Sequence, residues 1–393
     1  MKILHLICSV NPAGGGPIEG VKQLAAVNAA AGNQIEIASL DSPAAPFLKE
    51  MPLPVHALGP GILKYSYTPR LVPWLRENAS RYDIVVVNGI WQYHSFGAWR
   101  ALRKSSIPYV LFTHGMLDPW FKKEYPLKHL KKLAYWPWAE YRVLRDAQAV
   151  LFTCEEERVL ARQSFPRLYR CNEIVVNYGT AGFLGNAQAA RESFYTRYPG
   201  LRGKRIAVFL GRLHVKKGCD LLIRAFAKRL AADQDWHLLM CGPDQSGWKR
   251  ELEREAERLG IAQQITFAGM VAGELKWGAL LASEVFILPS HQENFGIVVA
   301  EALSCGLPAL ISNKVNIWRE VEGAGAGIVG EDDLDGACRM LESWLALSSA
   351  ARATMRERAL TCFREQFEIH KAAHTLYDVL NGVVKGGASA AGA

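Results

Sequence analysis

Two glutamates with seven residues between them stand in the stretch 289–303, Pro-Ser-His-Gln-Glu-Asn-Phe-Gly-Ile-Val-Val-Ala-Glu-Ala-Leu. The run reads as a buried strand ending at Pro289, a polar turn carrying Glu293, a glycine at 296, and a helix with Glu301 about two turns in. Backbone N–H groups at a helix start lack intrahelical partners and sit at the positive end of the dipole, so a diphosphate can dock there. Glu293 can accept hydrogen bonds from sugar hydroxyls, and Glu301 can take a vicinal diol such as a ribose. Taken alone, the stretch reads as a plain helix start, with Glu293 as a cap and Glu301 as a surface charge.

A second stretch, Gly211-Arg-Leu-His-Val-Lys-Lys-Gly218, follows an apolar run and precedes a helical pattern. Arg212 can grip a diphosphate bidentately and Lys217 adds a point charge, so the pair suits a phosphorylated leaving group. A solvated basic loop is the plain alternative. A third, Asn11-Pro-Ala-Gly-Gly-Gly-Pro17, follows the first apolar run. Consecutive glycines let a backbone adopt positive φ and approach a ligand closely. The pattern is neither a Walker loop nor a G-x-G-x-x-G fingerprint, so it does not point to ATP or nicotinamide.

Elements that place these residues are legible as two series of short apolar runs. Residues 3–8, 34–40, 84–88, 109–114, 149–154 and 173–177 read as strands, and their unbroken Val, Ile, Leu and Phe content suits strands buried on both faces of a parallel sheet. Segments such as 18–31 and 127–145 are long enough for crossover helices. After a Gly- and Ala-containing stretch at 181–190, residues 205–211, 237–242, 265–269, 285–290 and 308–312 form the second series. Past Asp333 the pattern is helical, and the small-residue tail 386–393 is expected to be irregular. A length of 393 residues accommodates two doubly wound α/β domains. Ligands of such open sheets bind beyond the carboxyl ends of the strands, which is where all three motifs fall.

The three stretches, in this order, resemble glycosyltransferase family 4. The likeness rests on Glu293 and Glu301 within Pro289-Ser290 and Glu301-Ala302-Leu303, on Gly211-Arg212-Leu213 with Lys217-Gly218, Asp220 and Phe226, and on Gly14 to Gly16. It runs over residues 1–380 and is most specific between 205 and 310. The resemblance implies a GT-B fold, two Rossmann-like doubly wound domains facing across a cleft, with C-terminal helices. The expected division is 1–180 on the acceptor side, 181–365 for the nucleotide sugar, and 366–393 as a helix packing back toward the first domain, plus tail. It implies that Arg212 and Lys217 bind the donor diphosphate and that Glu293 contacts the transferred sugar. Asn294, Phe295, Gly296 and Ile297 would lie nearby, Glu301 would hold the ribose, and Gly15 and Gly16 would belong to the N-terminal loop. Thr113-His114-Gly115 looks like the family's active-site histidine, with His114 against the donor sugar; on its own, a strand-end histidine reads as structural.

Such enzymes retain anomeric configuration. The expected function is transfer of a hexosyl group from a UDP- or GDP-linked donor to a saccharide or lipid-linked saccharide. Assembly of exopolysaccharide, capsule or lipopolysaccharide is the expected setting. A GT-B sugar-nucleotide epimerase is the alternative. The donor is a substrate; no separate cofactor and no metal are expected. Asp333-Leu-Asp335 spells D-x-D, but at a helix start N-capping explains it.

Charge adds a further expectation. Residues 1–180 hold 21 Lys and Arg against 14 Asp and Glu, while the rest holds 25 against 24. Residues 120–145 concentrate seven Lys or Arg and seven aromatics against two glutamates. Basic amphipathic helices with aromatic residues suit an anionic membrane surface. A crossover helix with a solvated basic face fits the same residues. A nucleic-acid partner is not expected, for no reader motif is present. The eight cysteines form no C-x-x-C pair and are expected to be reduced thiols. The opening run lacks signal-peptide features and no apolar run is long enough to span a bilayer, so a cytoplasmic enzyme, peripheral on the inner face of the membrane, is the expectation.

Overall fold

The computed structural model describes residues 1–12, 16–244 and 247–390. The chain divides into two compact units, Met1–Gly179 with Ile369–Ala393, and Thr180–Glu368.

In the first unit, β1 (Lys2–Ile7), β2 (Gln34–Ser39), β3 (Val55–Ala57), β4 (Ile84–Asn88), β5 (Tyr109–Phe112), β6 (Ala149–Phe152) and β7 (Glu173–Val175) form one sheet, ordered β3-β2-β1-β4-β5-β6-β7. Every neighbouring pair is parallel. Ile84, Val85, Val86 and Val87 are wholly buried, as a central strand covered on both faces requires. The helix Ile369–Ala390 belongs to this unit and packs on the helix Gly16–Ala30.

The second unit holds β8 (Arg205–Leu210), β9 (Trp236–Cys241), β10 (Ile265–Gly269), β11 (Val285–Leu288), β12 (Ala309–Ser312) and β13 (Gly327–Gly330), ordered β10-β9-β8-β11-β12-β13. Its pairs are parallel too. Both sheets therefore have the doubly wound Rossmann-like order. The direction of winding reverses between β1 and β4 in one and between β8 and β11 in the other, and ligands bind at such a switch point.

Four expectations need correction. Strands β3 and β13 carry no strong sequence signal: β3 is three residues long, and β13 begins and ends in glycine. Tertiary packing selects β13, because a Cβ at Gly327 would sit 1.9 Å from the Ala309 carbonyl oxygen. The segment 127–145 is not one helix. It breaks into Pro126–Tyr135 and Glu140–Asp146 after a short helix Trp120–Glu124. Pro137 supplies no N–H and Ala139 leaves helical geometry, with φ −119° and ψ −89°. Finally, the last helix continues through Ala390 into the tail expected to be irregular; residues 391–393 lie outside the described residues.

Candidate active site

The switch point of the second unit carries two of the three motifs. Strand β8 feeds the loop 211–218, and β11 feeds the loop 289–296. The loops are stitched together at one atom. The Lys216 carbonyl oxygen accepts a hydrogen bond from the His291 N–H at 2.8 Å and another from Ser290 Oγ at 2.9 Å. Gly218 stands left-handed at φ +64°, and a Cβ there would lie 2.1 Å from the Pro289 carbonyl oxygen. Only glycine serves both the turn and the close approach. The loop after β9 joins them: Leu213 N–H donates to Pro243 O at 3.0 Å.

Within this frame Lys217 is buried and forms an ion pair with Glu293. Burial pushes the Lys217 ammonium below the usual lysine range, and Lys216 and Arg212 push the same way; the Glu293 carboxylate supplies the opposing charge. Glu293 is thus no helix cap. The cap residue is Gly296, at φ +70°, whose missing Cβ would crowd Glu293 Cγ at 3.2 Å. The Glu293 backbone is fixed on both sides, its N–H donating to Lys314 O at 2.9 Å and its carbonyl accepting from Asn316 N–H at 3.0 Å. Asn294 is held by the Asn316 side-chain amide at 3.4 Å, and buried Phe295 packs edge-on against Phe367. Arg212 is exposed on the same loop as Lys217.

Glu301 is not a surface charge. It is the fifth residue of the helix Ile297–Ser304, nearer the start than expected, and is buried with Oε1 2.8 Å from Lys276 Nζ. Lys276, on the helix Gly273–Ala282, escaped the sequence reading, because nothing in a helix 25 residues upstream marks it as a partner. One end of the unit's sheet thus gathers two cation–carboxylate pairs, Lys217 with Glu293 and Lys276 with Glu301. Beside them are Arg212 and the N–H groups at the start of the helix Ile297–Ser304. A diphosphate, a sugar and a diol would each find matching groups there.

In the first unit, His114 follows β5 in a left-handed conformation, φ +47°, with Gly115 also left-handed at +72°. Its ring stacks on Phe112 at 5.3 Å between centroids, and its Nε2 lies 3.3 Å from Asn88 Oδ1 at the end of β4. Burial pushes its pKa down to about 4, so the imidazole is neutral at physiological pH. With Nε2–H facing the amide oxygen, Nδ1 is left as an acceptor. The strained turn is held by Glu157, which the sequence reading missed. Its Oε1 accepts from Thr113 Oγ1 at 2.7 Å and Gly115 N–H at 2.5 Å, and its Oε2 from Thr153 N–H and Oγ1 at 2.8 and 2.7 Å. Among Glu155, Glu156 and Glu157, all three look like dipole-favoured charges in a first helical turn; burial of one of them is invisible in the sequence. Glu140 is buried too, accepting from Trp91 N–H and Ser95 Oγ at 2.9 Å each, and burial raises its pKa to about 7.

Of the N-terminal glycines, Gly14 and Gly15 lie outside the described residues. Gly16 opens its helix, and a Cβ there would meet nothing within 4 Å, so packing does not demand a glycine. Asp333 caps the helix Leu334–Ala346, accepting from Gly336 N–H at 2.6 Å. All eight cysteines are free, five of them buried. Among the described residues no helix is long and apolar enough to cross a membrane.

Residues 15–178 match the model of a glycosyl transferase 4-like domain and residues 197–360 that of glycosyl transferases group 1. The chain is 32% identical to D-inositol 3-phosphate glycosyltransferase of Corynebacterium jeikeium over 39% of its own length and 38% of that protein. It is 28% identical to the GDP-mannose-dependent alpha-(1-6)-phosphatidylinositol dimannoside mannosyltransferase of Mycobacterium tuberculosis over 64% of this chain and 62% of that one. The chain therefore spans less than two thirds of the length of either curated relative. HepE of Anabaena, solved in complex with UDP and glucose, superposes with a TM-score of 0.76 at 18% identity, covering 97% of this chain and 100% of that one. Two doubly wound sheets and matches on both halves lead to one assignment: the chain belongs to the family 4 glycosyltransferases of the GT-B fold.

Proposed function

We propose that this chain moves a hexosyl group, with retention, from a UDP- or GDP-linked donor to a saccharide or lipid-linked saccharide in cell-surface polysaccharide assembly. The observation that carries the reading is the joining of the Arg212–Lys217 and Glu293–Glu301 loops at the switch point of the second sheet. In the reaction the bond from the anomeric carbon to the donor diphosphate breaks, and a bond to an acceptor hydroxyl forms on the same face. The hydroxyl proton passes to the departing diphosphate oxygen, and Arg212 and Lys217 stabilise the charge that develops there. Glu293 accepts from hydroxyls of the transferred sugar, Glu301 binds the ribose, and the neutral His114 offers Nδ1 to a sugar hydroxyl. The names of similar proteins support both candidate nucleotides, one transferase being GDP-mannose-dependent and one structure holding UDP.

An anionic lipid surface fits the first unit. The helix Pro126–Tyr135 exposes Leu127, Leu130 and Leu133 next to the exposed Lys123, Lys128 and Lys131, and apolar side chains bordered by cations suit a headgroup boundary. Lys132 does not take part. It turns over the Trp91 ring at 4.4 Å, and burial lowers its pKa to about 8.

A thermal-shift panel of UDP, GDP, ADP and their sugars, followed by NMR of the product anomer, tests the proposal. Stabilisation by one diphosphate and its sugar, with a retained anomer, is expected. Interconversion of donor sugars without an acceptor would instead identify an epimerase.

A further inference from the structure

Against Leu133 of the helix Pro126–Tyr135 lies a cavity of about 410 Å³. His129, Leu133, Trp136, Ser164, Phe165 and Leu168 are among its lining, with the exposed Lys122 and Arg167 also on its wall. Its base is rigid: the Trp136 and Phe165 rings stack at 4.0 Å and 9°, and the Trp136 indole N–H donates to Leu168 O at 2.7 Å. Leu133 belongs both to the cavity wall and to the exposed leucines of the helix, with Leu127 and Leu130, so it links the exposed apolar residues to the cavity. The volume lies toward the lower end of small-molecule sites, roughly 300–1,000 Å³, which suits part of one hydrocarbon chain and not a pair.

We propose that this cavity holds one hydrocarbon chain of a phosphorylated lipid, whose phosphate lies against Lys122 and Arg167. Charge complementarity selects the head and the aromatic lining selects the tail. The proposal rests on the lipid-linked acceptor reading and gives it a location: the chain anchors the acceptor lipid while its saccharide extends away.

Farnesyl phosphate below its micellar concentration is the probe, followed by calorimetry on the full chain with inorganic phosphate and farnesol as controls. Saturable binding of farnesyl phosphate, and none of inorganic phosphate, is expected. Leu168→Trp, which fills the cavity and leaves the exposed stripe untouched, should weaken binding by at least ~10-fold at an unchanged melting temperature. Lys122→Glu with Arg167→Glu should weaken farnesyl phosphate by a similar factor and spare farnesol, and this pair decides the matter if Leu168→Trp fails to fold. Leu127→Ser with Leu130→Ser should abolish binding to phosphatidylglycerol vesicles while leaving farnesyl phosphate binding intact. Wild-type protein that binds such vesicles but not farnesyl phosphate overturns the cavity proposal alone; the reverse result overturns membrane docking and leaves the cavity standing. Inorganic phosphate competing as well as farnesyl phosphate would reduce the site to a surface anion contact and also overturn it.

Discussion

The Lys217 ammonium and the Glu293 carboxylate, 76 residues apart in sequence, meet as an ion pair at the carboxyl end of the second sheet. Removing either partner leaves the other without its counter-charge in a largely desolvated place, so variants here are expected to change stability as well as turnover. Lys217→Ala is expected to lower turnover about 100- to 1,000-fold, the range for loss of a group that stabilises a developing anion. It should also lower stability, by an amount below the roughly 3–5 kcal/mol of a fully buried broken pair. The double variant Lys217→Met with Glu293→Gln should recover most of that stability and none of the activity. Exposed Arg212 separates the two effects: Arg212→Ala should lose turnover at constant melting temperature. Turnover near wild type in both alanine variants would remove the phosphate-clamp role.

Glu293 and Glu301 are assigned to different parts of the donor. Glu293→Gln should reduce sugar-nucleotide turnover far more than affinity for the free nucleoside diphosphate, whereas Glu301→Gln should reduce both, by about 1–3 kcal/mol in calorimetry. Equal losses of free-nucleotide affinity in the two variants would show that the division is wrong.

Turnover is expected to survive EDTA, because Arg212 and Lys217 are proposed to carry the charge that a divalent ion carries in D-x-D enzymes. Asp333 is engaged as a helix cap. Activity that disappears with the chelator and returns with Mn²⁺ or Mg²⁺ would overturn this.

Stability should depend on pH through two opposed groups in the first unit. Burial pushes His5, His94 and His114 each from 6.5 to about 4. Between those values the unfolded chain binds more protons, so stability falls as pH drops from 6.5 to 4, by up to about 1.4 kcal/mol per pH unit for each histidine. Glu140 acts in the other direction. Its pKa is raised from 4.5 to about 7, so the stability it contributes is present below pH 4.5 and is lost as pH climbs to 7. Glu140→Gln can still accept from Trp91 and Ser95, so urea denaturation should show the variant gaining on the wild type between pH 5 and 7.5. A constant difference across that interval would refute the assignment to Glu140.

The parallel sheets were legible because strands covered on both faces read as continuous apolar runs, as in Ile84 to Val87. The loops 211–218 and 289–296 were legible as strand-to-helix loops because glycines and charged residues cluster directly after apolar runs. What stayed hidden depends on side chains brought together across long separations. Glu157 is the third of three glutamates opening a helix, yet it alone anchors Thr113, Gly115 and Thr153. Lys276 carries no motif at all. Lys132 lies in a basic run and still points inward to Trp91. The break at Pro137 was signalled by the proline itself, but the aromatic density around it masked the interruption.

Thr180 pairs with Glu368 as a parallel bridge, and the chain enters and leaves the second unit at that point. The first unit is consequently built from two separate stretches of chain, with the second inserted between them. On a ribosome adding about 5–20 residues per second, Thr180–Glu368 emerges complete before the helix Ile369–Ala390 exists to pack on Gly16–Ala30. Order of synthesis and order of completion are thus inverted. The half that is made first is finished last, and the face of Gly16–Ala30 that receives the helix Ile369–Ala390 stays uncovered until that helix has been made.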